Sequence, residues 1–283
     1  MAAGQDQPAM RIGIALWRTL NVALLIFLPL PLVIVAAVSV SPERFLSFPP
    51  SGFSLRWYVE FLSSAKWMSV LAVSASIAAV ASLVSCAFAT LAALALDGMR
   101  GRYRGVCETL ILAPLIFPHA AIGIAIYGMM NGIDVLDGTF LGICVAHVIL
   151  AGPFAYRPIS VALARLEPAM AEAAMNLGAT RRETFFRVTL PLLRPGMMAA
   201  MLFTFILSFD EVTVTLFLVS PQITTLPIQI FHHVEQSADP VVAAIATFLI
   251  LASVLLVVIL QRTVGLQMFL SADSDEQRKG VGA

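Results

Sequence analysis

Apolar side chains fill six stretches of this chain, near 19–40, 69–96, 109–130, 139–161, 195–219 and 241–261, and polar positions collect between them. About 20 apolar residues in a helix rising roughly 1.5 Å per residue cover about 30 Å of hydrocarbon, so each stretch predicts one membrane-crossing helix. In the second stretch Ser74, Ala78, Ser82, Cys86 and Thr90 recur every four residues. That spacing lines up small side chains and lets another helix approach closely, either a span of this chain or one of a second subunit. In the third, Pro114 and Pro118 remove backbone donors and predict a kink or unpaired carbonyls. His119, and His147 in the fourth stretch, read first as hydrogen-bonded packing residues.

Residues 165–195 are too polar to cross a bilayer and too long for a tight turn. Glu167 to Leu177 is rich in strong helix formers, with Pro168 in the first turn, where a missing donor is harmless. Gly178 suits the stop because it adopts the left-handed cap conformation. Thr180-Arg181-Arg182-Glu183 then carries the Thr-x-x-Glu pattern of a capping box and starts a second helix, expected to run to about Leu190 before Pro191. The product is a helix–glycine–helix knob. Met170, Ala173, Ala174 and Leu177 share one face of its first helix, small enough to enter a groove. Arg181, Arg182 and Arg187 are placed to clamp acidic groups or lipid phosphates.

Composition fixes the environment. Of 283 residues 59% are hydrophobic and 12% charged, about half the charged share of a soluble domain. This is an all-α integral membrane protein in its pattern. Arg11 and Arg18 precede the first stretch as they would a secretory signal, but the run is about 22 residues long without a small-residue cleavage site, and it reads as an uncleaved span. All but Arg44, Arg56 and Lys66 of the 17 basic residues fall on one side of a six-span layout, which predicts both termini and the 165–195 loop on the cytoplasmic side. Net charge is zero, so nothing points to nucleic acid. Cys86, Cys107 and Cys144 lack metal-ligand spacing and read as packing residues. The long first outer loop carries Trp57, Tyr58, Phe61 and Trp67 at spacings of a short helix lying at the membrane surface, as an anchor or a docking face.

The series Glu172-Ala173-Ala174-x3-Gly178-x9-Val188-x-Leu190-Pro191 resembles the signature of membrane subunits of bacterial ATP-binding-cassette importers, with Val188 in an isoleucine place. The resemblance covers nearly the whole chain. It implies a type I importer permease with six transmembrane helices, in which Glu172, Ala173, Ala174, Gly178, Leu190 and Pro191 belong to a coupling helix that docks on the ATPase. Phe48 to Tyr58, Ser208 to Val212 and Thr225-Leu226-Pro227 look like the spermidine/putrescine branch, whose wording is shared by phosphonate, iron and opine branches. The implied partners are a dimeric ATPase, a second permease that is a relative of this chain, a periplasmic solute-binding protein and membrane lipid, in the bacterial inner membrane. Neither Lys66 nor Lys279 sits in a phosphate-binding glycine-rich turn, so ATP hydrolysis is assigned to a separate polypeptide. No catalytic residue, metal or cofactor is expected.

Three segments follow: 1–66 as amino terminus, first span and outer loop; 67–262 as transport core; 263–283 as cytoplasmic tail. Asp210 and Glu211 are expected about 16 residues, roughly 24 Å, into the fifth span. A carboxylate there costs on the order of 2.5–3.5 kcal/mol in lipid, so one is expected to line a path for a cationic solute while its neighbour pairs with another helix. The alternative is that both hold the helix end in place. His232 and His233 are expected in the last outer loop, where they face solvent or a binding protein or confer pH sensitivity. An ion-coupled secondary transporter is the rival class; it would show repeats and broken helices at matching positions, and no repeat is evident.

Overall fold

The structure is a computed structural model that describes residues 7–99, 101–237 and 239–264. The expected tail falls outside the described residues from 265 onward, as do residues 1–6. Every regular element among the described residues is helical, apart from one isolated bridge between Ser220 and Ile223. The helices are α1 (Gln7–Phe27), α2 (Leu30–Ser39), α3 (Arg56–Ser63), α4 (Ala65–Asp97), α5 (Arg102–Leu112), α6 (His119–Met130), α7 (Phe140–Ala164), α8 (Pro168–Asn176), α9 (Arg181–Thr184), α10 (Leu190–Phe209), α11 (Leu226–Gln236) and α12 (Val241–Val264).

Among the described residues, five helical stretches are long and apolar enough to cross a membrane: Leu16–Ser39, Ala65–Asp97, Phe140–Ala164, Arg181–Phe209 and Val241–Ile259. The third expected span departs from a kinked rod. Its two halves, Arg102–Leu115 and His119–Met130, meet at 100° and make a sixth span only as a bent pair. Pro114 and Pro118 remove two donors within five residues, and Phe117, standing before a proline, is pushed out of the helical region, so the ladder has nothing to continue through.

The chain divides into two units. In the first, which runs to Ala65 and resumes over His233–Ala252, the aromatic residues of the outer loop turn inward. Trp57 and Phe61 on α3 are 3% and 0% exposed, and the Trp57 indole donates to the Ser41 carbonyl at 2.9 Å. Phe61 meets Phe248 edge-on, centroids 5.5 Å apart. These rings are core, which corrects the surface-helix expectation for them. Trp67, at the start of the other unit, is buried as well. His232 and His233 lie on α11 rather than in a loop, and His233 Nε2 is 3.0 Å from the Asp239 carboxylate.

The second unit, Lys66–His232 and from Ser253 onward, holds the small-residue stripe. Ser74, Ala78, Ser82, Cys86 and Thr90 are all buried within this chain. Cys86 joins Ala89, Ala93, Ala155, Tyr156, Ile159 and Ala200 in one apolar cluster, so the stripe seats α4 against α7 and α10. The Ser74 hydroxyl accepts the Leu226 N–H at 2.7 Å and caps the start of α11. Between α7 and α10 the approach is close at Gly196, where an added Cβ would stand 2.5 Å from the Ala162 Cβ and 3.0 Å from the Pro158 carbonyl oxygen.

Candidate functional site

Two sites emerge, a surface knob and a buried polar cluster. The knob follows α7. Glu167 is the N-cap of α8 and Pro168 its first residue. At the other end Gly178 takes φ +94°, its N–H donates to the Met175 carbonyl at 3.0 Å, and the Ala179 N–H donates to the Ala174 carbonyl at 3.1 Å. This pair of bonds is the Schellman cap that only a residue tolerant of positive φ allows cheaply. Thr180 then closes the expected capping box: its hydroxyl accepts the Glu183 N–H at 3.3 Å, and the Glu183 carboxylate accepts the Thr180 N–H at 2.9 Å. The Glu183 carboxyl is held below its ordinary range by the Thr180 N–H first and the Thr180 hydroxyl second.

The second helix does not stop at Leu190. α9 passes through one widened turn, Phe185–Thr189, into α10, and the Leu190 N–H reaches back to the Phe185 carbonyl, five residues away. Pro191 explains the turn: it has no N–H for the carbonyl four residues back and its ring would strike it, and a π-type turn absorbs both defects without ending the helix. The knob is therefore continuous with the fifth span.

None of the α8 residues is buried. Glu172 and Ala173 are exposed, Ala174 is half-buried, and Leu177 is 90% exposed. Met170 and Met175 are exposed beside it. Leu190 and Pro191, half-buried, lie at the π turn against which α8 rests. An exposed apolar helix face of this kind is the sort of surface that enters a groove in recognition complexes.

The polar cluster sits where α10 ends. Asp210 is the C-cap, so Asp210 and Glu211 terminate the fifth span rather than lying inside it as expected. The apolar run onward to Val219 misled the pattern, because it forms a turn, a short 3₁₀ segment Thr215–Phe217 and an irregular stretch instead of helix. The two carboxylates part. Asp210 is exposed, whereas Glu211 is 8% exposed. One oxygen of Glu211 accepts the Val214 N–H at 2.8 Å; the other is 3.3 Å from His119 Nδ1 at the start of α6.

His147 of α7 completes the cluster, with Nδ1 2.7 Å from the Ser208 hydroxyl and Nε2 2.9 Å from that of Thr215. The Thr215 hydroxyl proton is committed to the Glu211 carbonyl at 2.9 Å. Thr215 must then accept from His147, which places the imidazole proton on Nε2 and makes Nδ1 the acceptor for Ser208. The sequence assigns no role to Ser208, met there only within the Ser208 to Val212 resemblance, and does not single out Thr215, since single hydroxyl residues in apolar runs carry no pattern. The cluster ties α6, α7 and the end of α10 together.

The family described as binding-protein-dependent transport system inner membrane component matches residues 85–268 of this chain. Over 242 residues the chain is 32% identical to the putrescine transport system permease protein PotI of Escherichia coli (strain K12), covering 83% of this chain and 85% of that one. It is 31% identical over 243 residues to the putative 2-aminoethylphosphonate transport system permease protein PhnV of Salmonella typhimurium (strain LT2), covering 86% and 91%. A chain in the crystal structure of a bacterial ABC transporter involved in the import of the acidic polysaccharide alginate matches with a TM-score of 0.69 at 16% identity, over 92% of this chain and 97% of that one, a likeness of fold.

Proposed function

The chain belongs to the binding-protein-dependent transport system inner membrane components, and from that premise we propose that its α8 knob is the surface through which a separate ATPase drives it. It is a non-catalytic permease subunit of an ABC importer. In this reading a dimeric ATPase receives the knob from the cytoplasm, where both termini also lie. A second, related permease completes the path across the bacterial inner membrane. A periplasmic binding protein delivers the solute, and residues 67–262 form the transport core, with 165–195 as its coupling loop.

The observation that carries this is the knob itself: α8, with no residue buried, is stopped by the Gly178 cap and followed by α9, which runs without a break into the fifth span. A rigid element continuous with a transmembrane helix transmits movement as a body. Leu177→Asp puts a charge on the most exposed apolar position of the face. The variant is expected to fold and enter the membrane while losing permease-stimulated ATP hydrolysis; full stimulation and uptake would refute the docking role.

For the solute we propose a primary amine, with a polyamine such as putrescine or spermidine preferred. Asp210, exposed at a helix end, is the residue that meets the ammonium group, and Glu211 holds the site's backbone. Both relatives named above are named for the transport of compounds that carry a primary amine, putrescine and 2-aminoethylphosphonate, which keeps the latter as the second reading. Uptake of labelled putrescine, competed by spermidine and by 2-aminoethylphosphonate, separates the two. Asp210→Asn should raise KM, and unchanged uptake by an intact assembly would remove Asp210 from the path.

A further inference from the structure

Between α2 and α3 the chain makes a 15-residue excursion, 41–55, without regular structure. Its two ends are stitched together. The Ser54 N–H donates to the Val40 carbonyl at 2.7 Å, Trp57 donates to Ser41, and the Ser39 and Tyr58 hydroxyls are 2.7 Å apart. The result is an Ω-type loop, a class that ordinarily packs on its own side chains. Here the large side chains point the other way: Phe45, Leu46, Phe48, Phe53 and Leu55 are 74%, 54%, 61%, 75% and 52% exposed.

Five large apolar side chains left in water cost roughly 25 cal/mol per Å² of exposed apolar surface, so the loop calls for a cover. Its position indicates which. The stem closes on Val40, one residue beyond the apolar span Leu16–Ser39, with no spacer between them. The span feeding it is itself outward-facing and apolar, with Leu32 and Val33 about half exposed. The loop is thereby held at the depth where hydrocarbon gives way to headgroups. Arg44 and Arg56 at its borders are exposed, and both belong to the sparse set of cations on this side of the chain. The Arg56 guanidinium lies 4.2 Å over the Trp57 ring and 3.5 Å from the Pro42 carbonyl, which fixes a cation at the loop's base. Exposed aromatic and aliphatic groups with two exposed arginines near the loop's borders match an acyl boundary next to phosphates.

We propose that the 41–55 loop is a membrane-interface anchor whose Phe45, Phe48 and Phe53 insert among the lipids at the end of the first span. The proposal is independent of the solute and of the coupling role of α8.

The test places p-benzoylphenylalanine, close in shape to the native ring, by Phe53→p-benzoylphenylalanine and separately Phe48→p-benzoylphenylalanine in the assembled transporter, reconstituted in phosphatidylethanolamine–phosphatidylglycerol bilayers. Leu177→p-benzoylphenylalanine, on the knob, is the reference position. After irradiation, phospholipid adducts are expected at 48 and 53 in several-fold excess over position 177, unchanged when the solute-binding protein is added. Adducts to the solute-binding protein or to another subunit in place of lipid would overturn the proposal, as would lipid yields no higher than at position 177. If one substitution blocks assembly, the other position gives the same readout.

Discussion

The knob and the buried polar cluster both organise the ends of α10, and they are held by opposite means. Every bond that shapes the knob joins residues within five positions: Pro168 starts α8, Gly178 stops it, and Thr180 with Glu183 starts the next helix. The cluster is stitched across the chain, with His147 reaching Ser208 and Thr215, 61 and 68 residues away. One region is a self-contained shape with an uncovered apolar face. The other exists only when α6, α7 and α10 have assembled. Under the proposed coupling role the contrast gives them different work: a body that can be pushed, and a joint that keeps the pushed helix in register with its neighbours.

The joint should therefore be the more sensitive to substitution. His147→Ala takes the acceptor from the Ser208 hydroxyl and the donor from the Thr215 oxygen and opens a cavity, and it is expected to cost on the order of 3 kcal/mol. A fall in the thermal midpoint of the detergent-purified protein reads this out; an unshifted midpoint would mean that the imidazole does not bind the helices together. Glu211→Ala follows at about 2 kcal/mol, for a buried carboxylate that accepts a backbone N–H. Glu211→Gln keeps that acceptor and loses only the charge facing His119, whose side chain is 37% exposed. Solvent screening limits this loss to about 1 kcal/mol. Equal losses in the two variants would show that the contact with His119, not the Val214 bond, is what matters.

How much of each region could be read from sequence follows from the same contrast. Pro168, Gly178, Thr180 and Glu183 announce the knob because caps are local, and each occupies the position its chemistry suggests. The helix end at Phe209 was hidden because Val212 to Val219 is as apolar as a span, and hydropathy reports solvent preference rather than backbone path. Pro191 read as a stop and became a π turn, since tertiary packing of α10 on α7 through Gly196 keeps the helix going. The prolines of the third span announced a break but not its angle of 100°, which depends on what α6 packs against. Trp57 and Phe61 read as interface residues because aromatic spacing alone does not separate an inward face from an outward one.

On the knob, effects should be functional before they are global. At Gly178 an added Cβ meets nothing within 4 Å, yet φ is +94°. Gly178→Ala is therefore a pure backbone lesion, worth about 1–2 kcal/mol of local strain. Because α8 buries nothing, the thermal midpoint should hold while permease-stimulated ATP hydrolysis falls several-fold. Gly128→Ala, in α6, also has open space around it but no positive φ, and it should change neither. A loss of midpoint at Gly178 matching that at His147 would erase the distinction between the regions.

The smallest effect expected is at the capping box. Thr180→Ala removes the acceptor for the Glu183 N–H and should weaken the start of α9 by about 1 kcal/mol, read as faster amide exchange over 181–184 with exchange in α7 unchanged. The box also has a pH signature whose sign is fixed. Glu183 titrates below its ordinary 4.5 because the Thr180 N–H and hydroxyl favour the carboxylate. Its contribution is thus complete above that ordinary value and is lost as pH falls through the lower folded one. Protection over 181–184, normalised for intrinsic exchange, should stay level from neutrality down to about 4.5 and drop only below it, and Glu183→Gln should flatten that drop. Should protection decline already between pH 7 and 5, a titrating group other than Glu183 would govern the second helix, and the knob would no longer count as shaped by its own residues.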